Sequence, residues 1–167
     1  MSGIYLDLLA RLVQHEVRFV LIGGYACIVH GGTLNTVDID VCCDFTPDNL
    51  LRIQQAISDL HPVHRMTPQR LPFSLTNEAC QHLNKLYLDT DLGQLDCVST
   101  VQGLGDFEHV KKMSEIIEID DITLNVLNRA ALIKSKKAMN RPRDREAVRE
   151  LEAIIKVRSK QNKEPTE

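Results

Sequence analysis

Apolar positions along the chain follow two spacings, which predict helices and strands in a mixed order. An apolar residue at every third or fourth position predicts helices at 4–15, 25–30, 46–60, 128–140 and 144–157. Short apolar runs bounded by turn-forming residues predict strands at 19–22, 37–43, 85–89, 94–99, 116–119 and 122–126. Helices separate the early strands, whereas the later strands form two hairpins. We therefore predict an α+β fold, with a mixed β-sheet flanked by helices and with C-terminal helices.

The length of the chain favours a single domain with a small appendage. Its 167 residues are predicted to divide into a core over 1–127, a C-terminal helical extension over 128–158 packed on that core, and a flexible charged tail over 159–167. Residues 61–72 contain three prolines and two histidines, which predicts a loop.

Composition narrows the functional classes. The apolar fraction of 43% is sufficient for a buried core, and the net charge of −3 provides no overall basic field to attract nucleic acid. The chain has no apolar run of about 18 residues that could cross a membrane. Its N-terminus lacks the basic and apolar regions of a signal peptide, so a cytoplasmic location is expected. The five cysteines include no C-x-x-C pair, which favours reduced, buried thiols over a zinc site.

Asp38 and Asp40 lie two positions apart on a predicted strand, so their carboxylates share one face. Two adjacent carboxylates repel each other unless a shared proton, a basic side chain or a divalent cation lies between them. Gly23 and Gly24 end the preceding strand, where backbone N–H groups can approach an anion at the start of a helix. Either feature alone is ordinary, but together they favour Mg²⁺ carrying a nucleoside triphosphate.

Asp96 is a third candidate carboxylate, on the predicted strand over 94–99. Its neighbours in the chain are apolar, so burying its charge without a functional role would cost free energy. The alternative is that Asp96 lies at an edge of the sheet and faces water. A third acid would complete a two-metal site or act as a general base toward an acceptor hydroxyl.

Two stretches resemble a known family signature: LIGGYACIVHG at 21–31 and TVDID at 36–40. They are similar to the DNA polymerase β-like nucleotidyltransferase superfamily, and most of all to small prokaryotic members such as minimal nucleotidyltransferases and AbiEii-type toxins of toxin–antitoxin systems. The C-terminal stretch at 132–144, a lysine-containing helix followed by Arg-x-x-Asp, also resembles these relatives. The resemblance covers about residues 17–155 and implies a nucleotidyltransferase-like sheet.

The resemblance also implies roles for individual residues. The predicted catalytic and metal-binding residues are Asp38, Asp40 and Asp96. The predicted nucleotide-binding residues are Gly23, Gly24, Thr36 and Lys134. The implied cofactor is Mg²⁺ in a two-metal site, with Mn²⁺ as the alternative ion.

The sequence departs from the family pattern at two positions. Leu34 stands where many relatives have an arginine, which weakens the expected grip on phosphate or acceptor. Gly24 stands where many have a serine, so backbone amides rather than a hydroxyl would contact the phosphates.

Basic residues at 134, 137 and 141 recur on roughly one helical face, which is either a phosphate contact or a solvated surface. Asp144 could cap the last helix or pair with an arginine, and capping is preferred. His30 is expected to stabilise the end of the short helix rather than to join the site. Tyr25 could stack on a base or pack in the core.

Three functional hypotheses follow. The first is an Mg²⁺-dependent nucleotidyltransferase that moves a nucleoside monophosphate from a triphosphate, ATP among the candidates, to a hydroxyl on a protein, a tRNA or a small molecule. In a toxin–antitoxin context, a cognate antitoxin would be a further partner. The second is a catalytically inactive module that binds a nucleotide or a partner. The third is a nucleic-acid-binding regulator, which the acidic net charge disfavours.

Overall fold

The computed structural model describes residues 3–162. The helices are α1 (Gly3–Gln14), α2 (Gly23–Val29), α3 (Pro47–Ile57), α4 (Asn77–Cys80), α5 (Phe107–Lys112), α6 (Arg129–Met139) and α7 (Pro142–Gln161). The strands are β1 (Phe19–Ile22), β2 (Asp38–Cys43), β3 (Val63–His64), β4 (Lys85–Thr90), β5 (Gly93–Val98), β6 (Thr100–Val101), β7 (Gly105–Asp106), β8 (Ser114–Ile119) and β9 (Ile122–Leu127). The predicted α+β class is confirmed.

Seven strands form one mixed sheet in the order β3-β4-β5-β2-β1-β9-β8. The pairs β1–β9 and β2–β5 are parallel, and the other neighbours in this sheet are antiparallel. Strands β6 and β7 form a separate small hairpin. The parallel pairing of β2 with β5 places an early segment of the chain beside a later one, so that Asp40 lies opposite Asp96.

Short elements account for most differences from the predicted pattern. The predicted loop at 61–72 contains the two-residue strand β3, and α4 and the β6–β7 hairpin were not predicted. The predicted helix at 46–60 ends as a 3-10 turn over Ser58–Leu60. Thr46 occupies the N-cap position of α3, but its side chain makes no capping hydrogen bond, so Pro47 in the first turn is the main start signal.

One apolar cluster forms the core between the sheet and its helices. Leu8, Leu9 and Leu12 of α1 are fully buried, and α1 packs against α3 and β9. All five cysteines are buried free thiols, as small apolar residues would be. Within residues 3–162, no helix combines the length and apolarity that a membrane crossing requires.

Asn49 on α3 is a buried polar residue whose side-chain amide is fully engaged. Its Oδ1 accepts a hydrogen bond from the Arg18 backbone N–H at 2.7 Å. Its Nδ2 donates to the backbone oxygens of Arg18 at 3.0 Å and of Asp44 at 2.7 Å. This amide, called the Asn49 latch below, ties the start of β1 and the end of β2 to α3.

Two helices complete the chain. The Asn128 side chain caps α6 by accepting a hydrogen bond from the Ala131 N–H at 2.9 Å, and Asn140 ends α6 in the left-handed conformation. Pro142 then opens α7, which runs to Gln161. Ser159, the start of the tail predicted over 159–167, thus lies within α7, and the last part of that predicted tail, 163–167, lies outside the described residues.

Candidate active site

Three carboxylates predicted from sequence meet on one face of the sheet. In the parallel β2–β5 pair, Asp40 lies opposite Asp96, and Asp38 lies two positions earlier on β2. Oxygens of Asp38, Asp40 and Asp96 all lie within 4.8 Å of one another. The alternation on β2 supports this placement, because Ile39 and Val41 between and beyond the acids are fully buried on the other face.

The Gly23–Gly24 turn is fitted closely against these acids. Gly23 has a φ of +68°, and a Cβ there would lie 2.2 Å from Asp40 Oδ2. A Cβ on Gly24 would lie 2.7 Å from Thr36 Oγ1. The turn therefore excludes side chains at both positions. The Gly24 backbone opposes the rise that burial causes in the pKa of Asp40, so part of the predicted phosphate cradle already faces a carboxylate.

Thr36 positions Asp38 directly. Its hydroxyl donates to Asp38 Oδ1 at 3.0 Å or to the Asp38 backbone oxygen at 3.2 Å. The Tyr5 hydroxyl in turn reaches the Thr36 backbone oxygen at 3.5 Å. Thr36 was predicted to contact nucleotide, and the structure places it between the glycine turn and the first carboxylate.

The proximity of the acids changes their proton affinity. Burial, and then the charges of Asp38 and Asp96, raise the pKa of Asp40 from 3.8 to about 7. Burial also raises the pKa of Asp96, although an ion pair with Arg65 opposes the rise. A positive charge among the three carboxylates would relieve this repulsion.

Arg65, which sequence reasoning missed, forms an ion pair with Asp96. Its guanidinium carbon lies 5.7 Å from the centre of the Tyr87 ring, and its Nε is buried without a hydrogen-bond partner. Arg65 follows β3 in the segment predicted to be a loop, and it is anchored there by its backbone N–H, which donates to the Tyr87 oxygen at 2.9 Å. No local sequence signal indicates this contact, because Arg65 and Asp96 are far apart in the chain.

The carboxylates lie on the floor of a cavity of about 690 Å³, and the α6–α7 junction forms the opposite wall. Lys136 on this wall is largely buried, and its Nζ lies 3.5 Å from Asp144 Oδ1. Asp144 also accepts hydrogen bonds from the backbone N–H and the Nε of Arg141, at 3.1 and 2.7 Å. Burial alone would raise the pKa of Asp144, but the bonds from Arg141 and the charge of Lys136 bring it below its ordinary value.

Asp144 thus serves as both helix cap and ion-pair partner, the two roles considered separately from sequence. Lys134, the predicted nucleotide-binding lysine, is exposed and does not line the cavity, whereas Lys136 does. The difference between the two lysines has a geometric reason: positions two apart on a helix point to nearly opposite sides. Lys137 is also exposed and pairs with Glu152.

His30 and Tyr25 are core residues. His30 is 1% exposed, and its Nε2 forms a 2.8 Å hydrogen bond with the Leu127 backbone oxygen, joining the end of α2 to β9. Tyr25 is buried, with its ring edge-to-face on Tyr5 at 5.5 Å between centres. Neither side chain lines the cavity.

Similar solved structures share this architecture along almost the whole chain. One is the lincosamide antibiotic adenylyltransferase LnuA with lincomycin bound, at a TM-score of 0.63 and 14% identity, covering 92% of this chain and 98% of that one. The chain has a nucleotidyltransferase fold. The expected fold is thereby confirmed, while the toxin-like subtype stays a prediction.

A second protein, ANT(2'')-Ia, matches in two structures. Its complex with adenylyl-2''-tobramycin has a TM-score of 0.56 and 13% identity, and covers 95% of this chain and 96% of that one. Its solution structure, described as an antibiotic-resistance factor, has a TM-score of 0.55 and 14% identity, with 96% and 92% covered. No family model matches the sequence, and no curated protein matches it.

Proposed function

We propose that this protein is an Mg²⁺-dependent nucleotidyltransferase that moves a nucleoside monophosphate from a triphosphate to a hydroxyl group of a small molecule. The observation that carries the proposal is the cluster of Asp38, Asp40 and Asp96, within 4.8 Å of one another on the floor of the cavity. A glycine turn borders this cluster and a basic wall faces it. Triphosphate chemistry needs carboxylates to hold a divalent cation and basic groups to offset phosphate charge.

The donor set fits a hard divalent cation. Carboxylate oxygens are the ligands that Mg²⁺ prefers, and a bound cation would oppose the rise in the pKa of Asp40 that burial and the neighbouring carboxylates cause. Asp38 and Asp40 would hold the ion, with Asp96 as a further ligand in a two-metal site, and Mn²⁺ would satisfy the same donors. The ion would supply charge neutralisation on the phosphate oxygens.

The residues of the chain have separate roles in the transfer. The acceptor hydroxyl oxygen bonds to the α-phosphorus, the bond from that phosphorus to the pyrophosphate oxygen breaks, and the hydroxyl proton passes to the Asp96 carboxylate. Arg65 orients Asp96 through their ion pair. Lys136, Arg141 and Arg143 on the opposite wall line the cavity and offset phosphate charge.

A small-molecule acceptor is favoured over a protein or a tRNA. The similar structures are an adenylyltransferase of lincosamide antibiotics and a factor bound to adenylyl-tobramycin, and the likeness extends over more than nine-tenths of each chain. One of these proteins is an adenylyltransferase and the other is bound to an adenylyl compound, so ATP is the first triphosphate to test. Nothing comparable points to an antitoxin partner.

A nucleotide-binding module without catalysis is the second candidate. One observation favours it: Arg65 already pairs with Asp96, which leaves Asp38 and Asp40 as the carboxylates without a basic partner. Such a module would bind a triphosphate but release no pyrophosphate.

The decisive experiment measures ATP binding by calorimetry and pyrophosphate release with small hydroxyl acceptors, each with and without Mg²⁺. We expect Asp40→Asn to lower turnover by about 10³-fold, because it removes a ligand and a charge from the reacting centre. Asp59→Asn is the matched control, since this exposed carboxylate pairs with Arg11 on α1. Full turnover in Asp40→Asn would overturn the proposal, and Mg²⁺-dependent binding without turnover would favour the module.

A further inference from the structure

The order of the strands gives the cavity floor a direction. Strands β1, β2, β5 and β4 are successive neighbours, so the glycine turn after β1 lies at one end and Tyr87 on β4 lies at the other. Tyr87 is directly opposite Asp96 in the antiparallel register, on the same face. In phosphoryl transfer the attacking and leaving oxygens lie on opposite sides of the phosphorus. With pyrophosphate toward Gly23, the acceptor occupies the end formed by Asp96 and Tyr87.

The carboxylates that line the cavity are all committed. Asp144 is held by Arg141 and Lys136, and Asp96 is paired with Arg65. Asp38 and Asp40 are the proposed metal ligands. Asp89, two positions beyond Tyr87 on β4, is paired with Arg70 and does not line the cavity. Among the described lining residues, no carboxylate remains to receive an ammonium group of the acceptor.

Apart from Asp96, which is paired with Arg65, the acceptor end is uncharged and partly apolar. Its walls are Tyr87, Val98, Thr100, Val101 and Gln102, and Val37, 67% exposed, adds an apolar surface to the cavity lining. The Arg65 guanidinium also lies beside Tyr87, with its carbon 5.7 Å from the ring centre, and it neutralises Asp96 through their ion pair. A polycation bound here would leave ammonium groups desolvated without partners and close to a like charge, and both effects oppose binding.

We infer that the acceptor is a hydroxyl compound that is uncharged or carries a single basic group, with an apolar face, and that polycationic hydroxyl compounds are excluded. This inference rests on the proposed nucleotidyltransferase function. It narrows the proposed acceptor to one chemical class, because each carboxylate that lines the cavity already has a basic partner or a proposed metal-binding role.

The first experiment compares two probes on the wild-type protein in the presence of Mg²⁺ and a non-hydrolysable ATP analogue. Lincomycin has a single basic amine, whereas tobramycin is a polycation. We expect lincomycin to bind at least about tenfold more tightly than tobramycin at physiological salt, since a missing ion pair and a desolvated ammonium each cost about this factor. Equal or tighter binding of tobramycin would overturn the inference.

The second experiment adds one carboxylate to the acceptor end. Thr100 is exposed, lines the cavity and has no part in the reaction described above. Thr100→Glu should bind tobramycin about fivefold more tightly than Thr100→Gln, which has the same size without the charge. The gain should disappear at high salt. Equal tobramycin affinity in Thr100→Glu and Thr100→Gln would overturn the inference.

The same samples distinguish a failure of the proposed function from a failure of the inferred acceptor class. Mg²⁺-dependent ATP binding is measured before either probe is added. If it is absent, the proposed function fails. If it is present and tobramycin is the preferred acceptor or gains nothing from Thr100→Glu, the function stands and the acceptor class is wrong.

Discussion

The Asn49 latch and the carboxylate cluster are two buried polar regions with opposite energetics. Each polar atom of the Asn49 amide has a backbone partner within 3.0 Å. In the cluster, burial and then the like charges of Asp38 and Asp96 raise the pKa of Asp40 to about 7. A buried polar group with all its partners stabilises a fold, whereas one without them costs free energy. The difference separates residues that maintain the structure from residues that are held ready for a ligand.

The largest effect is expected at the latch. Asn49→Ala should lower the free energy of unfolding by about 3 kcal/mol, because it leaves the Arg18 N–H and the Asp44 backbone oxygen without the hydrogen bonds that the amide makes. Chemical denaturation measures the loss, and Asn77→Ala, at an exposed position of α4, should change stability by less than about 0.5 kcal/mol. The Mg²⁺ affinity of the folded Asn49→Ala protein should be unchanged. A weakened affinity would show that the two regions are not independent.

A smaller effect is expected in the carboxylate cluster, where the ionised Asp40 side chain lowers the stability of the fold rather than raising it. In chelated protein, the folded-state pKa of Asp40 exceeds its ordinary value of 3.8, so the folded state binds the proton more tightly than the unfolded state. Stability should therefore fall as pH rises from about 4 to about 7, by on the order of 2 kcal/mol after allowance for partial exposure. Asp40→Asn should remove this slope in denaturation curves measured across that range. A wild-type slope retained in Asp40→Asn would assign the pH dependence to another group.

The smallest effect is the response to metal. At ten times its dissociation constant, Mg²⁺ should stabilise the wild-type protein by about 1.4 kcal/mol, which raises the melting temperature by about 4 °C. The shift should be lost in Asp40→Asn and kept in Asn49→Ala and Asp59→Asn. A metal response that survives in Asp40→Asn would place the ion outside the cluster.

Local signals predicted the parts of the fold that local forces determine. Strand β1 has the predicted bounds, and the turns at Gly23 and Asp120 lie where the sequence placed them. The three acids were found because the strand period fixes the face of Asp38 and Asp40, and because Asp96 stands among apolar residues on a predicted strand. Strand β3 and helix α4 were missed, since two and four residues are too few for a period to be visible.

The missed site residues depend on tertiary packing. Arg65 reaches Asp96 only because β3 pairs with β4 and β4 with β5. Lys136 rather than Lys134 lines the cavity because the packing of α6 sets which of its faces is turned inward. The spacing of residues along the chain predicts neither the contact of Arg65 with Asp96 nor the inward position of Lys136, because the same spacing would allow either side chain to point outward.

The position of the basic wall in the chain has a consequence for synthesis. The three acids are complete by residue 96, whereas Lys136, Arg141 and Arg143 come from the α6–α7 junction near the end of the described chain. Because a ribosome makes the amino-terminal part first, a nascent chain can assemble the acidic floor before its cationic counterpart exists. Under the proposed function, competence for triphosphate would thus be acquired late, and a chain interrupted after β9 would carry the acids without the wall proposed to hold the substrate against them.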